Sequence, residues 1–311
     1  MALTLAEAEK FTTNMVKRGV LKTLISDSIV LTKLPFIDVV GNAFQYLREA
    51  TLGAGTWLDP NESWAAAEAT PTFTQFTATL KILGGDADID EFLKATRSDK
   101  TDLEAEVIEA RAKGIRNTFL DTFYYGTGTL KTFAGLHTIA AGADMTAQNV
   151  HQGAAAVGAP LSIANLDLLV DLVRDGKADC LLTTRNIRRR LTQYLRTQGS
   201  VATDRDEWGM WYLSHNEVPI YIDDFLVQTE QITTSAYSAK TGGVTGSIFA
   251  VRFGSNDLTG LQNGGLSTKK LGQLEGKDAI RWRIKWYPGL ALLRNISMAR
   301  LDGITDAAVV A

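Results

Sequence analysis

The sequence predicts an α+β fold built from one long helix, an extended β-hairpin arm and an α/β unit inserted ahead of the closing strands. Three observations predict it. Residues 99–125 place Ile108, Ile115, Phe119 and Phe123 at spacings of seven, four and four, with Leu103 and Val107 extending the same face, which is the periodicity of an amphipathic helix. Residues 44–80 hold an extended run, a glycine- and alanine-rich stretch, and a second run rich in threonine and phenylalanine; they read as two strands and a small-residue tip. Residues 280–287 alternate Ile280, Trp282, Ile284 and Trp286 with Arg281, Arg283, Lys285 and Tyr287, a strand with one apolar and one basic face.

In chain order, residues 5–25 read first as a helix, with Ala8, Phe11, Met15, Leu21, Leu24 and Ile25 on its apolar side. Phe36, Val39 and Val40 lead through Gly41-Asn42 into Phe44-Gln45-Tyr46-Leu47, an extended segment. Gly53, Gly55 and Asp59-Pro60-Asn61 turn the chain, Trp57 and Trp64 lie among alanines, and a strand returns over 72–80. Tryptophans on such an arm are exposed unless another surface covers them, and exposed apolar surface of that kind marks a protein contact. The long helix is acidic in its first half (Asp102, Glu104, Glu106, Glu109) and basic after it (Arg111, Lys113, Arg116), as the helix dipole favours. At ~1.5 Å per residue it runs roughly 35 Å, and Gly126-Thr127-Gly128 stops it.

Beyond residue 160 helix and strand alternate. Ser162 caps a helix with Ile163, Leu166, Leu169, Val170 and Val173 inward, ended by Gly176. Residues 179–183 form a short buried strand, and Thr184 or Asn186 begins a helix that turns Ile187, Leu191, Tyr194 and Leu195 inward and Arg188, Arg189 and Arg190 mostly outward. Residues 218–223 and 246–251 read as strands, with a polar, glycine-rich loop over 233–246. Pro288-Gly289 turns the 280–287 strand into a last strand at 290–298, and these two have no partner nearby in sequence except each other.

The 311 residues are 45% hydrophobic and 22% charged, with a formal net charge of −3. Those are globular proportions, and without a long basic block the chain is no electrostatic wrapper of nucleic acid. Its single cysteine, Cys180, forms no internal disulfide or zinc site and reads as a small core residue in an apolar run. The first residues lack the basic start and apolar stretch of a secretion signal, and no apolar run reaches the ~18 residues of a membrane span. The expectation is a soluble chain made in the cytoplasm.

Catalytic and metal-binding patterns are weak. Gly126-Thr127-Gly128-Thr129-Leu130-Lys131-Thr132 has Leu130 where a phosphate loop needs glycine, and it follows a helix rather than a strand. Asp86, Asp88 and Asp90 have calcium-loop spacing, but Glu91 and Arg97 stand where glycine and glutamate belong, so this segment reads as a polar strand end leading to a helix start. His137, His151 and His215 lack ligand spacing, and Ser267-Thr268-Lys269-Lys270 matches a short nucleophile pattern at chance level. Three successive arginines on a helix point in different directions and make a solvated face, while Asp223-Asp224 fits a strand-ending turn as well as a metal pair. The chain is not expected to be an enzyme, and no cofactor or metal is expected.

Four segments together resemble a known family. They are residues 34–49 (Leu34-Pro35-Phe36-Ile37-Asp38-Val39-Val40-Gly41-Asn42 onward), the helix end Asp121-Thr122-Phe123-Tyr124-Tyr125-Gly126-Thr127-Gly128 with Phe133-Ala134-Gly135-Leu136, the segment Cys180-Leu181-Leu182-Thr183-Thr184-Arg185 with Val218-Pro219-Ile220-Tyr221-Ile222-Asp223-Asp224 downstream, and the closing strands. The combination is similar to the major capsid proteins of tailed bacteriophages, whose coat fold is shared with encapsulins. The resemblance implies an N-terminal arm (1–40) and an extended loop, or E-loop (41–83). It further implies a peripheral domain (84–154 and 271–311) with a spine helix at 100–125, and an axial domain (155–270).

It also implies a virion shell subunit whose main partner is itself, in pentamers and hexamers, with a separate scaffolding protein and a portal. Double-stranded DNA would be enclosed without sequence-specific binding, and no membrane is involved. Arg48, Glu49, Trp57 and Trp64 are the expected intersubunit residues of the arm. Some members of the family weld subunits through a lysine in the arm; residues 34–80 contain none, so a non-covalent shell is expected. The chain also lacks a long N-terminal extension to serve as a fused scaffold, hence the separate one. An encapsulin-type compartment subunit is the alternative. A further one is an α/β enzyme with a hairpin lid at 44–80 and a pocket near Arg185, Asp223 and Asp224.

Overall fold

The computed structural model describes residues 29–51, 55, 57–61, 72–91, 103–129, 131–153, 157–199, 203–205, 211–233 and 236–310. The helix expected at 5–25, the first residues of the long helix and Trp64 lie outside the described residues. The elements begin with helix α1 (Ile29–Lys33), strands β1 (Phe36–Asp38), β2 (Ala43–Thr51), β3 (Thr72–Thr79) and β4 (Leu83–Asp90), and the long helix α2 (Leu103–Tyr125). Helix α3 (Leu136–Ala140), a 3-10 turn (Ala143–Gln148), β5 (Asn149–His151), α4 (Ile163–Leu172), β6 (Cys180–Thr183) and α5 (Arg185–Thr197) follow. Next come β7 (Thr203–Arg205), β8 (Trp211–His215), β9 (Val218–Ile222), β10 (Gln231–Thr233), β11 (Ala236–Ala239) and β12 (Thr245–Val251). The chain closes with β13 (Leu258–Gln262), β14 (Ser267–Leu274), β15 (Lys277–Trp286), β16 (Pro288–Leu292) and β17 (Met298–Thr305).

Helix α2 buries the face its spacing predicts, with Ile108, Ala112, Ile115, Phe119, Leu120, Phe123 and Tyr124 all in the core. It packs on β4 and β15, where Phe119 and Trp286 lie with ring centroids 4.7 Å apart. Truncating a buried aromatic of this kind costs about 3–5 kcal/mol. The helix stops where two glycines meet. A Cβ on Gly126 would stand 2.2 Å from the Phe133 carbonyl oxygen, and one on Gly135 would stand 2.5 Å from that of Thr122. Side chains there would prise apart the turn that the Gly135 N–H closes on the Gly126 carbonyl.

The sheet β14-β15-β4 carries the alternating strand. Its apolar face lies on α2, and on the other face Arg281 and Arg283 sit directly opposite Asp88 and Asp86. Each forms a two-pronged ion pair, at 2.6 and 2.7 Å. Those guanidinium groups hold both carboxyls below their ordinary pKa. The pairs are solvent-facing, so their value is register more than stability. The strand ends at Asp90 and a helical residue follows at Glu91, as expected for a strand end leading to a helix start, and Asp86 and Asp88 hold arginines.

The seven-stranded sheet β5-β17-β12-β6-β9-β8-β7 is buried on both faces through its middle. Cys180, Leu182, Phe249 and Val251 join the core around α2, whereas Leu181, Ile248, Ala250 and Leu301 join a second core under α4 and α5. A strand covered on both sides has no polar face, which explains the continuous apolar runs at 180–182 and 248–251. Burial raises the Cys180 thiol to about 12 and keeps it an inert core residue.

Several local expectations are revised. Helix α4 ends at Leu172, not at Gly176, because Asp175 and Gly176 both adopt positive φ and form the turn themselves. Ser162 stands at its N-cap position but makes no capping hydrogen bond with its side chain, whereas Thr184 accepts from the Ile187 N–H at the start of α5. The expected loop at 233–246 contains the hairpin strand β11. The two closing strands do not pair with each other: β15 lies between β14 and β4, and β16 pairs with β13. Pro288 opens β16 as the first residue of an edge strand, where its missing N–H costs nothing. The chain then makes one more strand, β17, which lies between β5 and β12, so the seven-stranded sheet draws strands from outside residues 155–270.

Candidate assembly arm and the polar cluster behind it

Strands β2 and β3 form an antiparallel two-stranded hairpin with Ala43 opposite Thr79 and Arg48 opposite Thr74. Its period-two pattern divides the side chains. Phe44 and Tyr46 turn towards the body and, with Ala78 and Leu80, pack on a small core of Val39, Leu261 and Ala291. Phe44, Tyr46 and Phe76 stack in series, with centroids 5.9 and 5.8 Å apart. Leu47 and Phe73 point the other way, 68% and 57% exposed, and Trp57 towards the tip is 100% exposed. Glu49 is exposed on the same outer side.

Arg48 is placed otherwise than expected. Its side chain is 12% exposed and bonds within the chain: Nε donates to the Leu293 carbonyl at 2.9 Å, Nη2 to the Leu292 carbonyl, and Nη1 to the Asp144 carboxylate. The guanidinium also lies 4.2 Å from the Phe76 ring centroid. Arg48 therefore belongs to the root of the hairpin, while Trp57 and Glu49 remain on its free surface.

A buried polar cluster lies behind the C-terminal end of α2. Glu230, 0% exposed, accepts from Tyr125 Oη at 2.6 Å, from Ser247 Oγ, and from His137 Nε2 at 3.0 Å. His137 stacks on Tyr237 and Tyr125, with centroids 3.9 and 4.9 Å away. Arg300, also buried, pairs with Asp302 at 2.9 Å, and Asp302 holds His151 Nδ1 at 2.6 Å. Tyr125, His137 and His151 lie 93 to 151 residues from the carboxylates they bond, too far for a spacing rule to link them. The three histidines each pair with a carboxylate, His215 with Asp167.

Burial lowers the His137 pKa more strongly than Glu230 raises it. A folded pKa below the unfolded value of about 6.5 means that the unfolded chain takes up the proton first. This contribution is therefore fully present above about pH 6.5 and is lost as the pH falls below it. The expected result is a urea midpoint that declines on acidification from neutral pH, with a shallower decline in His137→Gln. The groups facing His137 are Glu230, Tyr125, Tyr237, Arg300 and Asp302.

The residues of the enzyme alternative are engaged elsewhere. A cavity of about 280 Å³ does lie beside Arg185, Asp223 and Asp224. However, Asp223 accepts from Tyr124 Oη at 2.9 Å and from the Phe225 N–H at 3.0 Å, and burial raises its pKa. Arg185 and Asp224 form an exposed two-pronged pair. Among the described residues no group of three or more histidine, cysteine or carboxylate side chains converges as a metal site.

No protein-family model and no curated protein matches the sequence. Solved structures do match, over nearly the whole chain. The class they define is the α+β shell fold common to phage capsids and encapsulins. In particular, the holo-SrpI encapsulin complex from Synechococcus elongatus PCC 7942 is similar with a TM-score of 0.70 at 16% identity, covering 92% of this chain and 91% of that one. The capsid of a native GTA particle gives 0.57 at 15% identity, with 91% of each chain covered. A chain from Mycobacterium phage Bobi gives 0.60 at 14% identity, covering 90% and 91%. At such identities the shared property is the fold.

Proposed function

We propose that this chain is the major capsid protein of a tailed bacteriophage, a subunit that assembles into the icosahedral shell around the genome. The observation that carries the reading is a shell fold matched over nine-tenths of the chain, combined with a hairpin that exposes Leu47, Phe73 and, towards its tip, Trp57. The partner is further copies of the chain, in pentamers and hexamers, with Trp57 and Glu49 on the contacting surface and Trp64 assigned to it from sequence alone. Closed symmetric assembly follows from repeating one such contact. A scaffolding protein, a portal and enclosed double-stranded DNA complete the proposed partners, and the reading assigns no catalysis. Residues 41–83 serve as the E-loop, and the strands 149–151 and 298–305 join residues 155–270 in the axial domain.

An encapsulin-type compartment subunit is the second reading, favoured by the TM-score of 0.70 to an encapsulin chain. Both are tested by expressing the chain alone and combining size-exclusion chromatography with negative-stain electron microscopy. Shells, tubes or rings of five and six are expected, and their diameter separates a large genome container from a small compartment. A monomer that stays monodisperse at high concentration with crowding agents contradicts the compartment reading and leaves only a scaffold-dependent capsid. Uniform closed shells from the chain alone remove the need for a scaffold. Because residues 34–80 contain no lysine, particles boiled in detergent are expected to run as monomer; a ladder of higher bands contradicts the non-covalent shell.

A further inference from the structure

We propose that Arg48 is an intrasubunit latch that fixes where the hairpin leaves the body, so that the exposed Trp57 is aimed before any neighbour arrives. The proposal rests on the shell-subunit reading for its consequence, and on geometry for the latch. Up to Arg48 the hairpin is held down: Phe44, Tyr46, Ala78 and Leu80 pack on Leu261, Ala291 and Leu293, and the Lys81 N–H donates to the Pro288 carbonyl. From Glu49 on one strand and Phe73 on the other, the described side chains are exposed, apart from the half-buried Leu58. Arg48 stands at that boundary.

Its guanidinium spends one nitrogen on each of three acceptors from two separate segments. The Leu292 carbonyl ends β16 and that of Leu293 follows it, while Asp144 belongs to the 3-10 turn after α3. Asn295 Nδ2 donates to the Asp144 carbonyl at 3.4 Å, tying those two segments together beneath the arm. The rings of Phe76 and Tyr46 lie beside the guanidinium at 4.2 and 5.5 Å, so its position is restricted from the hairpin side as well. A planar fork serves three directed acceptors, and a lysine ammonium does not reproduce that geometry.

The consequence is mechanical. From residue 49 to Trp57 an extended chain reaches about 30 Å at ~3.4 Å per residue. A swing of about 10° at the latch then moves the tip by about 5 Å, on the order of one interstrand spacing. An arm loosened at Arg48 reaches its neighbour in many directions, and assembly becomes slow and irregular.

The test measures hydrogen exchange on dissociated full-length subunits of wild type, Arg48→Ala, Arg48→Lys and Asp144→Ala, followed by assembly under conditions that assemble the wild type. Loss of hydrogen bonds to a charged group predicts exchange in β2 and β3 at least about tenfold faster in Arg48→Ala. Arg48→Lys is also faster, Asp144→Ala less so because two carbonyl bonds remain, and protection in α2 and β12 is unchanged. The loosened variants are expected to give fewer particles with a broader spread of diameters. Unchanged protection of the hairpin in both Arg48→Ala and Asp144→Ala overturns the latch. A loosened hairpin that still yields particles of wild-type number and diameter overturns its role in assembly. If the wild type forms no particles even with crowding agents, self-assembly of the chain alone fails, and the exchange data still decide the latch.

Discussion

Under the proposed shell reading, Trp57→Ser is expected to abolish assembly while leaving the unfolding midpoint of the isolated subunit unchanged. The side chain is fully exposed in the subunit, so its removal takes nothing from the subunit's core. In an assembled shell the same indole is expected to be covered by a neighbour, and a buried tryptophan is worth about 3–5 kcal/mol on truncation. At about 1.4 kcal/mol per factor of ten, one lost contact raises the subunit concentration needed for association by on the order of a hundredfold or more. In the proposed shell every subunit would make the contact, so the loss would repeat around it. The measurement is a pair: urea unfolding of the monomer, and light scattering against subunit concentration. A variant that unfolds more easily than wild type places Trp57 in the subunit's own core; one that assembles at the wild-type threshold removes it from the interface.

Glu230→Ala has the opposite signature, with the subunit itself destabilised. The substitution strands the Tyr125 and Ser247 hydroxyls and the His137 N–H without their acceptor and leaves Arg300 with Asp302 as its nearby countercharge. Breaking a buried charged network from one side costs about 3–5 kcal/mol, a large part of the 5–15 kcal/mol that holds a typical domain. Glu230→Gln retains one acceptor oxygen and is expected to lose about half as much. Chemical denaturation of the three proteins decides the matter. A Glu230→Ala midpoint within experimental error of wild type means that the cluster contributes no net stability.

What was legible in the sequence follows from what repeats locally. Helix α2 was readable because burying one face of a helix forces apolar residues to recur every three or four positions, and Ile108, Ile115, Phe119 and Phe123 do so. The arm was readable because two β-favouring runs flank a tip of small residues, and β15 because one of its faces is covered and the other is wet. The ladder of Arg281 and Arg283 on Asp88 and Asp86 left a trace, since both pairs have a period of two. Its meaning depended on register across nearly 200 residues. The partners of Arg48 within the chain are illegible for the same reason: its acceptors at 144, 292 and 293 are remote in sequence, and nothing near residue 48 announces them.

The sequence by itself thus determined the element types, the exposed arm and the α+β class, because these depend on how each segment divides its own side chains between core and water. The tertiary structure alone decided which strands are neighbours, that β17 returns between β5 and β12, and that Glu230 gathers Tyr125, His137 and Ser247. Such partners are chosen by the closing of long loops, whose cost grows only slowly with length. A contact across 100 residues is therefore nearly as accessible as one across 50, and only the packed core selects between them.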